Sequence, residues 1–502
     1  MTEREGKKTL PGSSSRGYRE YLAALLATVA LLAGGAVTVQ GWHIYPPYPL
    51  ASERFGVGGV PNANYDVETL GAGWYVNWGA TINPPHPNGM SALQIIRLDG
   101  EEPVLDWETL SAIIQANPGQ VWRIGNEPDS IWMDNCTPEQ YARAYHELYH
   151  LIKSVDPTAQ AAFGGLVQAT PLRLLYLDFV WQAYQDFFGE EMLVDVWTLH
   201  SFILPEVRNS WGAEIPPGMG GYAYLGMRYE IRDHDDVSIF TQRFSDFRQW
   251  MADHGQRDKP LLVPEYGILM WPEIEDEDGN DFSNDRVITF MYATFDFFLT
   301  ATDPAIGYPA DGDRLVQAWA WYSLDDDSYY DGQKIGEGYG GDLFTGAYTK
   351  TMTALGQAYA DYVQTLGGVD YTDLYPLRLQ VDPAPVVMWG QTETLTLTAE
   401  VANHGRQPAQ NVAVQFWEGE PGAGTPIGPS QAISQIPGRY EGTGTVSVTW
   451  TIPASGGYTL WVEVDPAGDV AESDEGNNRL SQTVLAATAR VYLPLVMRNS
   501  SP

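Results

Sequence analysis

Cysteine, histidine and basic residues are scarce in this sequence of 502 residues. Its single cysteine, Cys136, excludes an intramolecular disulfide bond, and eight scattered histidines do not suggest a zinc framework. Lysine and arginine number 28 against 64 aspartates and glutamates, a net charge of −36. Because an acidic chain repels phosphate groups, nucleic acids and anionic lipid surfaces are not expected as partners. A neutral, hydroxyl-rich partner such as a sugar fits this composition better.

The length and the apolar content define the class of protein. A chain of 502 residues is too long for one hydrophobic core, which predicts two or three domains. Apolar residues make up 44% of the chain and aromatic residues 12%, which excludes a disordered chain, a coiled coil and a collagen-like fibre.

The N-terminus has the pattern of an export signal. Five basic residues between Arg4 and Arg19 precede the apolar run YLAALLATVALLAGGAVTV at residues 21–39. The run is also long enough for a membrane-spanning helix. We expect residues 1–41 to be a signal peptide or an N-terminal membrane anchor. The protein would then lie outside the cell or at its surface.

Residues 42–368 alternate short apolar runs with helical patterns, which indicates βα units and a parallel sheet. One helix start is marked by Thr137-Pro138-Glu139-Gln140, which predicts a capping box. The sequence predicts a (β/α)8 TIM barrel over this region. The eight strand candidates are residues 55–60, 73–78, 92–98, 121–125, 161–166, 194–200, 260–265 and 316–322.

The pattern changes after residue 368. Residues 394–401 (TLTLTAEV) alternate strictly between polar and apolar, and three later segments alternate less cleanly. Turn residues separate these segments and no helical period occurs. We therefore predict an all-β, immunoglobulin-like sandwich over residues 369–488, followed by a C-terminal tail at 489–502.

Two apolar strands end in a glutamate. One is RIGNEPD at 123–129, which contains Glu127, and the other is LLVPEYG at 261–267, which contains Glu265. Either motif alone also fits an ordinary turn or a solvated loop. As a pair they end the predicted fourth and seventh strands and lie across the barrel mouth from each other. Glycoside hydrolysis needs two such carboxylates, one protonated and one ionised.

Asn126-Glu127-Pro128 and Glu265, in this strand order, resemble clan A glycoside hydrolases, which are retaining (β/α)8 enzymes. The resemblance implies that Glu127 is the acid/base, that Glu265 is the nucleophile and that Asn126 contacts a sugar hydroxyl. It also places His200, from DVWTLH, near the nucleophile, and makes Trp321 an aromatic platform. The segment GWYVNWG at 73–79, together with GNEPD at 125–129, is similar to glycoside hydrolase family 128 and its relatives, which cut β-1,3-glucans.

One position departs from the clan pattern, in which a tyrosine often follows the strand-six histidine by two residues. Here that position is Phe202, which cannot donate a hydrogen bond. Either another tyrosine steadies the nucleophile, or this contact is absent. The candidates are Tyr222, Tyr224 and Tyr266.

Further residues near the predicted strand ends are candidate sugar contacts: Trp74, Trp78, Trp132, Trp271 and Arg97. Core packing is the commoner role of a single tryptophan, so we expect two or three of them to line a cleft. Arg97 contacts substrate or forms an internal salt bridge. The acidic segment 273–285 favours a solvated loop over a calcium site. No metal or organic cofactor is expected.

The C-terminal region resembles a CARDB-type domain, an immunoglobulin-like adhesion module of prokaryotic surface proteins. The resemblance is carried by LTLTAEVANHG at 395–405 and by the acidic segment 464–478. It implies presentation or spacing outside the cell.

These observations predict an exported retaining glycoside hydrolase that cleaves a neutral polysaccharide or oligosaccharide, with β-glucan favoured. The alternative is a non-catalytic, carbohydrate-binding adhesion protein of the cell surface. A purely structural barrel is a third interpretation, which would place neither glutamate in a cleft.

Overall fold

The computed structural model describes residues 50–326, 340–346, 350–367, 369–391 and 394–488. The predicted export or anchor segment at 1–41 and the predicted tail at 489–502 lie outside the described residues. Within the described ranges, no helix has the length and apolar character needed to cross a membrane.

The N-terminal region is a nearly closed barrel of eight parallel strands. Their order around the sheet is β5-β4-β3-β2-β1-β8-β7-β6, and isolated parallel bridges join β5 to β6. The TIM-barrel prediction is confirmed. The strands are β1 (Phe55–Gly58), β2 (Trp74–Asn77), β3 (Ser91–Ile96), β4 (Val121–Ile124), β5 (Gln160–Phe163), β6 (Trp197–Thr198), β7 (Leu261–Gly267) and β8 (Ala318–Tyr322).

Helices cover the outside of the barrel. Helix α3 begins with the predicted capping box. The Thr137 side chain accepts from the Gln140 backbone N–H, and the Gln140 side chain accepts from the Thr137 backbone N–H. Its apolar stripe then packs against the strands. The described helices of this region are α1 (Val67–Leu70), α2 (Trp107–Ala116), α3 (Pro138–Val155), α4 (Pro171–Phe188), α5 (Val237–Asp253), α6 (Asn284–Thr300) and α7 (Ala354–Thr365).

Alternation along each strand divides the barrel into an inner and an outer core. On β8, Ala318 and Ala320 face the barrel interior, whereas Trp319 and Trp321 belong to the core under the helices. The two alanines of β8 leave room inside the barrel for the Trp74 ring. This ring also lies so close to Gly56 of β1 that a Cβ on Gly56 would clash with it.

The C-terminal region is the predicted β-sandwich. A sheet ordered β9-β11-β14 faces a sheet ordered β10-β16-β15-β12-β13, and the inward residues of both sheets form a second core. The strict alternation on β11 buries Leu395, Leu397, Ala399 and Val401. The strands are β9 (Leu374–Asp382), β10 (Val386–Met388), β11 (Thr394–Asn403), β12 (Ala409–Glu418), β13 (Thr425–Ile436), β14 (Gly444–Thr451), β15 (Gly456–Val464) and β16 (Arg479–Ala487).

The sandwich docks on the N-terminal ends of the barrel strands. Glu53, just before β1, is buried and pairs with Arg439 at 2.9 Å and with Arg406 at 3.3 Å. Tyr440 stacks on His86 and shares a hydrogen bond with the Ser91 hydroxyl at the start of β3. These contacts lie at the end of the barrel opposite to the one where the strands finish.

Candidate active site

The two predicted glutamates meet at the C-terminal ends of the barrel strands. His200 lies between them: its Nδ1 is 2.8 Å from Glu127 Oε1 and its Nε2 is 3.6 Å from Glu265 Oε1. One oxygen of each carboxylate lies within 4.8 Å of the other. All three side chains are buried. Carboxylates from β4 and β7 therefore share one small, water-poor space.

A strained turn after β4 places Glu127. Glu127 has a φ of 46° and Gly125 a φ of 85°, so a non-glycine residue occupies the left-handed region here. A hydrogen bond stabilises the turn, because the Asn126 backbone N–H donates to Asp134 Oδ2 at 2.7 Å. Asp134 is in turn paired with Arg97 at 2.6 Å. The left-handed backbone conformation of Glu127 therefore directs its carboxylate into the cleft.

A second brace is a buried ion triad. Asp129, two residues after Glu127, pairs with Arg173 at 2.5 Å, and Arg173 also binds Glu206 at 2.8 Å. Burial raises the pKa of Asp129 to about 6, against the opposing effect of Arg173. The triad ties the loop of Glu127 to the start of α4 and to the segment that follows β6.

A β-bulge in β7 turns Glu265 inward. Trp319 of β8 lies opposite Val263, but Trp321 lies opposite Tyr266, so β7 contains one extra residue between them. Without that residue, strict alternation would put Glu265 and Leu262 on opposite faces. The bulge lets Glu265 enter the cleft while Tyr266 packs under the helices.

Arg123, on the inner face of β4, links the histidine to the nucleophile candidate. Its Nη1 lies 2.7 Å from His200 Nε2 and its Nη2 lies 3.2 Å from Glu265 Oε1. A guanidinium can only donate, so Nε2 is the acceptor and the imidazole proton is on Nδ1, where it faces Glu127. Burial, together with Arg123, lowers the pKa of His200 to about 3. The imidazole is neutral at ordinary pH.

The two glutamates have different surroundings. Burial raises the pKa of Glu127 to about 7, although Arg173 and Arg123 oppose the rise. Glu265 Oε1 accepts from the Trp78 indole N–H at 2.7 Å in addition to Arg123. Hydrogen bonds from an indole and a guanidinium stabilise a negative charge on Glu265. Glu127 is thus suited to hold a proton, whereas Glu265 is held by two hydrogen-bond donors.

The remaining predicted contacts are placed differently. Trp78 lies at the cleft, and Trp132 on the loop after Glu127 is 64% exposed. Trp271 is half-buried after β7. The Asn126 side-chain oxygen accepts from Arg123, which leaves its Nδ2 group without a hydrogen bond within the described residues. Of the two roles predicted for Arg97, substrate contact or internal salt bridge, the structure shows a salt bridge with Asp134.

Burial corrects two of the tryptophan predictions. Trp74 is fully buried inside the barrel, and its indole N–H donates to the Arg54 carbonyl. Trp321 is fully buried on the helix side of β8, where its N–H donates to the Gly341 carbonyl at 2.7 Å. Neither ring offers a face to a ligand. The alternation of alanine and tryptophan in AWAWY is the signal that would have placed Trp321 outside the barrel.

Two cleft residues were missed from the sequence. Arg123 follows Val121 on the inner face of β4, and its chemistry shows only when Glu265 and His200 are beside it. Tyr322 ends β8 and packs edge-on against Trp78 and Phe202. Phe202 therefore packs against the Tyr322 ring, at the position where the clan pattern often has a hydroxyl donor. Among the described residues, none of Tyr222, Tyr224 and Tyr266 hydrogen-bonds to Glu265; Tyr266 faces Thr294.

The cleft is a poor metal site despite its ligand types. Glu127, His200 and Glu265 together offer nitrogen and carboxylate donors. Arg123 already contacts both His200 and Glu265 as a fixed cation, which opposes a second positive charge. Two carboxylates of the acidic segment at 273–285 are paired with basic side chains, Asp276 with Arg286 and Asp278 with Arg232, both at 2.9 Å.

Comparison with known proteins finds similarity in both regions. Solved structures similar to the barrel include a GH128 subgroup II endo-β-1,3-glucanase from Pseudomonas viridiflava (16% identity, 62% of this chain, 97% of that chain, TM-score 0.40). Another is a subgroup I enzyme from Amycolatopsis mediterranei in complex with laminaritriose and laminaribiose (15% identity, 61% of this chain, 98% of that chain, TM-score 0.39).

For the C-terminal region, a CARDB domain from Pyrococcus furiosus in complex with di-metal ions is similar at 20% identity, over 23% of this chain and 94% of that chain, with a TM-score of 0.20. No curated protein matches the sequence. Residues 373–482 match the CARDB family, which confirms the resemblance drawn from the sequence. The chain therefore combines an eight-stranded barrel with a C-terminal CARDB domain.

Proposed function

We propose that the protein is a retaining glycoside hydrolase, with Glu127 as acid/base and Glu265 as nucleophile. The observation that carries the proposal is the pairing of the two carboxylates: one oxygen of each lies within 4.8 Å of the other, in contrasting surroundings. Retaining enzymes separate their carboxyl groups by about 5–5.5 Å, whereas inverting enzymes need about 6.5–9.5 Å to admit a water. The close approach supports retention.

The reaction proceeds in two displacements. Glu265 attacks the anomeric carbon as the bond to the leaving oxygen breaks, and Glu127 transfers its proton to that oxygen. The product of this step is a glycosyl ester on Glu265. Glu127, now a carboxylate, takes a proton from water while the water oxygen attacks the same carbon and releases Glu265. The enzyme is thereby restored with Glu127 protonated.

The neighbouring side chains have positioning roles. His200 donates to Glu127 Oε1, so the acid proton is carried by the other oxygen. Arg123 and Trp78 hold the attacking carboxylate through Glu265 Oε1. The free Nδ2 group of Asn126 is a donor for a sugar hydroxyl. The rings of Trp78 and Trp132 supply apolar faces for sugar C–H surfaces.

β-1,3-Glucan is the substrate that we favour. The segment at 73–79 is similar to glycoside hydrolase family 128, and solved enzymes described as endo-β-1,3-glucanases have a similar barrel. Residues 42–368 would form the catalytic domain. The CARDB domain would present it outside the cell, after export directed by residues 1–41. A protein similar to this domain is described as a putative cell surface protein.

Phe202 favours a second candidate, a carbohydrate-binding adhesion protein without turnover. It occupies the position where a hydroxyl donor often supports the nucleophile, and it packs against Tyr322. In this alternative the cleft still binds glucan, and the CARDB domain supplies the surface function.

A hydrolysis assay with binding measured in parallel separates the two functions. The wild-type protein is tested on neutral polysaccharides, β-1,3-glucan first, beside Glu127→Gln and Glu265→Gln. We expect each variant to lose activity by at least about a hundredfold while it still folds and binds. Glu139→Gln, an exposed carboxylate at the start of α3, is the matched control and retains activity.

The anomer formed first, followed by NMR, tests the mechanism. A β-configured product from a β-glucan supports retention, and an α-configured product contradicts it. Binding of glucan without turnover by the wild-type protein would favour the adhesion protein instead.

A further inference from the structure

A second cluster of metal-ligating side chains lies on the outside of the barrel. His146 and His150 are on α3, and Glu190 follows the end of α4. His146 Nδ1 lies 3.7 Å from Glu190 Oε1, and His150 Nε2 lies 3.8 Å from the same oxygen. The three ligand atoms are all within 4.8 Å of one another. The sequence pattern did not predict this cluster, because Glu190 is distant along the chain from the two histidines.

The local structure explains why these residues meet. A spacing of four residues puts both imidazoles on one face of α3. Helix α4 ends at Phe188, and the φ of 70° at the next residue, Gly189, turns the chain so that Glu190 reaches back towards α3. Phe188 stacks on the His146 ring with centroids 3.6 Å apart and an interplanar angle of 4°. One ligand ring is therefore fixed in place before any ion binds.

We propose that His146, His150 and Glu190 bind a zinc ion. Two imidazole nitrogens and one carboxylate oxygen form a common donor set for Zn²⁺, with a fourth position left for water. Tetrahedral coordination at about 2.0–2.1 Å requires ligand atoms about 3.4 Å apart. Each imidazole nitrogen is a few tenths of an ångström farther than this from Glu190 Oε1. The side chains of His150 and Glu190 are 48% and 49% exposed, so they are free to make this small adjustment.

The charges around the cluster are compatible with a cation. Two basic residues of α3 lie three positions from a ligand, and both are paired: Arg143 with Glu101 and Lys153 with Asp195, each at 2.7 Å. The neighbouring exposed residue Glu191 adds negative charge. This contrasts with the cleft, where Arg123 touches the candidate ligands directly. The ion would connect the middle of α3 to the end of α4.

A hydrogen bond between Tyr184 and His146 gives the proposal a specific signature. The Tyr184 hydroxyl lies 2.9 Å from His146 Nδ1, the nitrogen that faces Glu190. Zinc at that nitrogen must displace this hydrogen bond. Removing the Tyr184 hydroxyl should therefore strengthen zinc binding. Removing a contact that only stabilises the fold would not have this effect.

Zinc binding to the full chain is the test, measured by calorimetry or by competition with a chromophoric chelator. We expect His150→Ala and Glu190→Gln to weaken binding at least about tenfold, because each removes a ligand from an exposed position. Glu191→Gln removes the same charge next to the site and should leave the affinity unchanged. Tyr184→Phe should bind zinc about three to ten times more tightly.

Three results would overturn the proposal. The first is no zinc binding by the wild-type protein up to about 1 mM. The second is equal affinity in His150→Ala, or an equal loss in Glu191→Gln, which would indicate a diffuse effect of negative charge. The third is binding that Glu127→Gln abolishes and His150→Ala leaves intact, which would place the ion in the cleft.

Discussion

At the scale of single residues, the chemistry depends on where one proton resides. Arg123 donates to His200 Nε2, so the neutral imidazole turns its N–H towards Glu127. Glu127 sits in a buried environment that raises its pKa to about 7. The same guanidinium also donates to Glu265 Oε1. A single arginine thus determines the tautomer of the histidine and holds the attacking carboxylate.

The raised pKa of Glu127 predicts a loss of activity on the alkaline side. A general acid must be protonated in the free enzyme, and the proton is lost as the pH rises through the pKa. We expect kcat/KM for β-1,3-glucan to fall above pH about 7, by tenfold for each further pH unit. An activated aryl glycoside, whose leaving group needs no proton, should show a shallower fall. Constant kcat/KM for glucan up to pH 9 would contradict this assignment.

At the scale of the elements, the catalytic turn is held by a close approach between β4, β5 and α3. The Tyr141 hydroxyl of α3 donates to the Ile124 carbonyl and accepts from the Gly164 N–H, both at 2.8 Å. The Gly164 carbonyl then accepts from the Glu127 N–H at 3.2 Å. Strand ends and one helix therefore determine together where the acid/base candidate lies.

A methyl group at Gly164 tests this arrangement. A Cβ there would lie 2.5 Å from the Ile124 carbonyl oxygen, so the strand ends must move apart. We expect Gly164→Ala to lower the free energy of unfolding by about 1–3 kcal/mol and to reduce kcat more than binding. Gly221→Ala is the control, because nothing lies within 4 Å of its Cβ. Unchanged unfolding and kcat in Gly164→Ala would exclude the close approach.

At the scale of the whole molecule, the CARDB domain is docked on the barrel rather than tethered beside it. Arg406 donates to the carbonyls of Ala72 and Asn88, and Arg439 donates to Glu53. Burial lowers the pKa of Arg406 to about 10, which still leaves it charged at neutral pH. Because the contact covers the N-terminal ends of the strands, the cleft points away from the CARDB domain.

Breaking the docking contact should destabilise the chain without altering the chemistry. Arg439→Met leaves the buried Glu53 carboxylate with one cation instead of two, which costs about 3–5 kcal/mol in comparable buried pairs. Denaturant unfolding measures this loss, and limited proteolysis should then cut between the two regions. Arg378→Met removes a half-exposed arginine of the same domain and is the control. Equal stability of the two variants would show that docking contributes little.

Much of the fold could be predicted because its signals are local. Strict alternation predicted a strand over residues 394–401, where Leu395 and Leu397 are buried, and the capping box predicted the start of α3. The glutamates at the ends of two apolar strands predicted a shared cleft, since parallel strands finish at the same edge of a barrel. Their roles as acid/base and nucleophile stay a prediction until the variants are assayed.

The sequence by itself determined the order of strands and helices, the change from barrel to sandwich and the two strand-end carboxylates, because period and capping act over a few residues. Tertiary structure alone decided which face each side chain takes. The bulge in β7 turns Glu265 inward, and small inward alanines put Trp321 under the helices. Arg439 and Glu53 meet across more than 380 positions of the chain. Such contacts depend on register and docking, which no short stretch of sequence encodes.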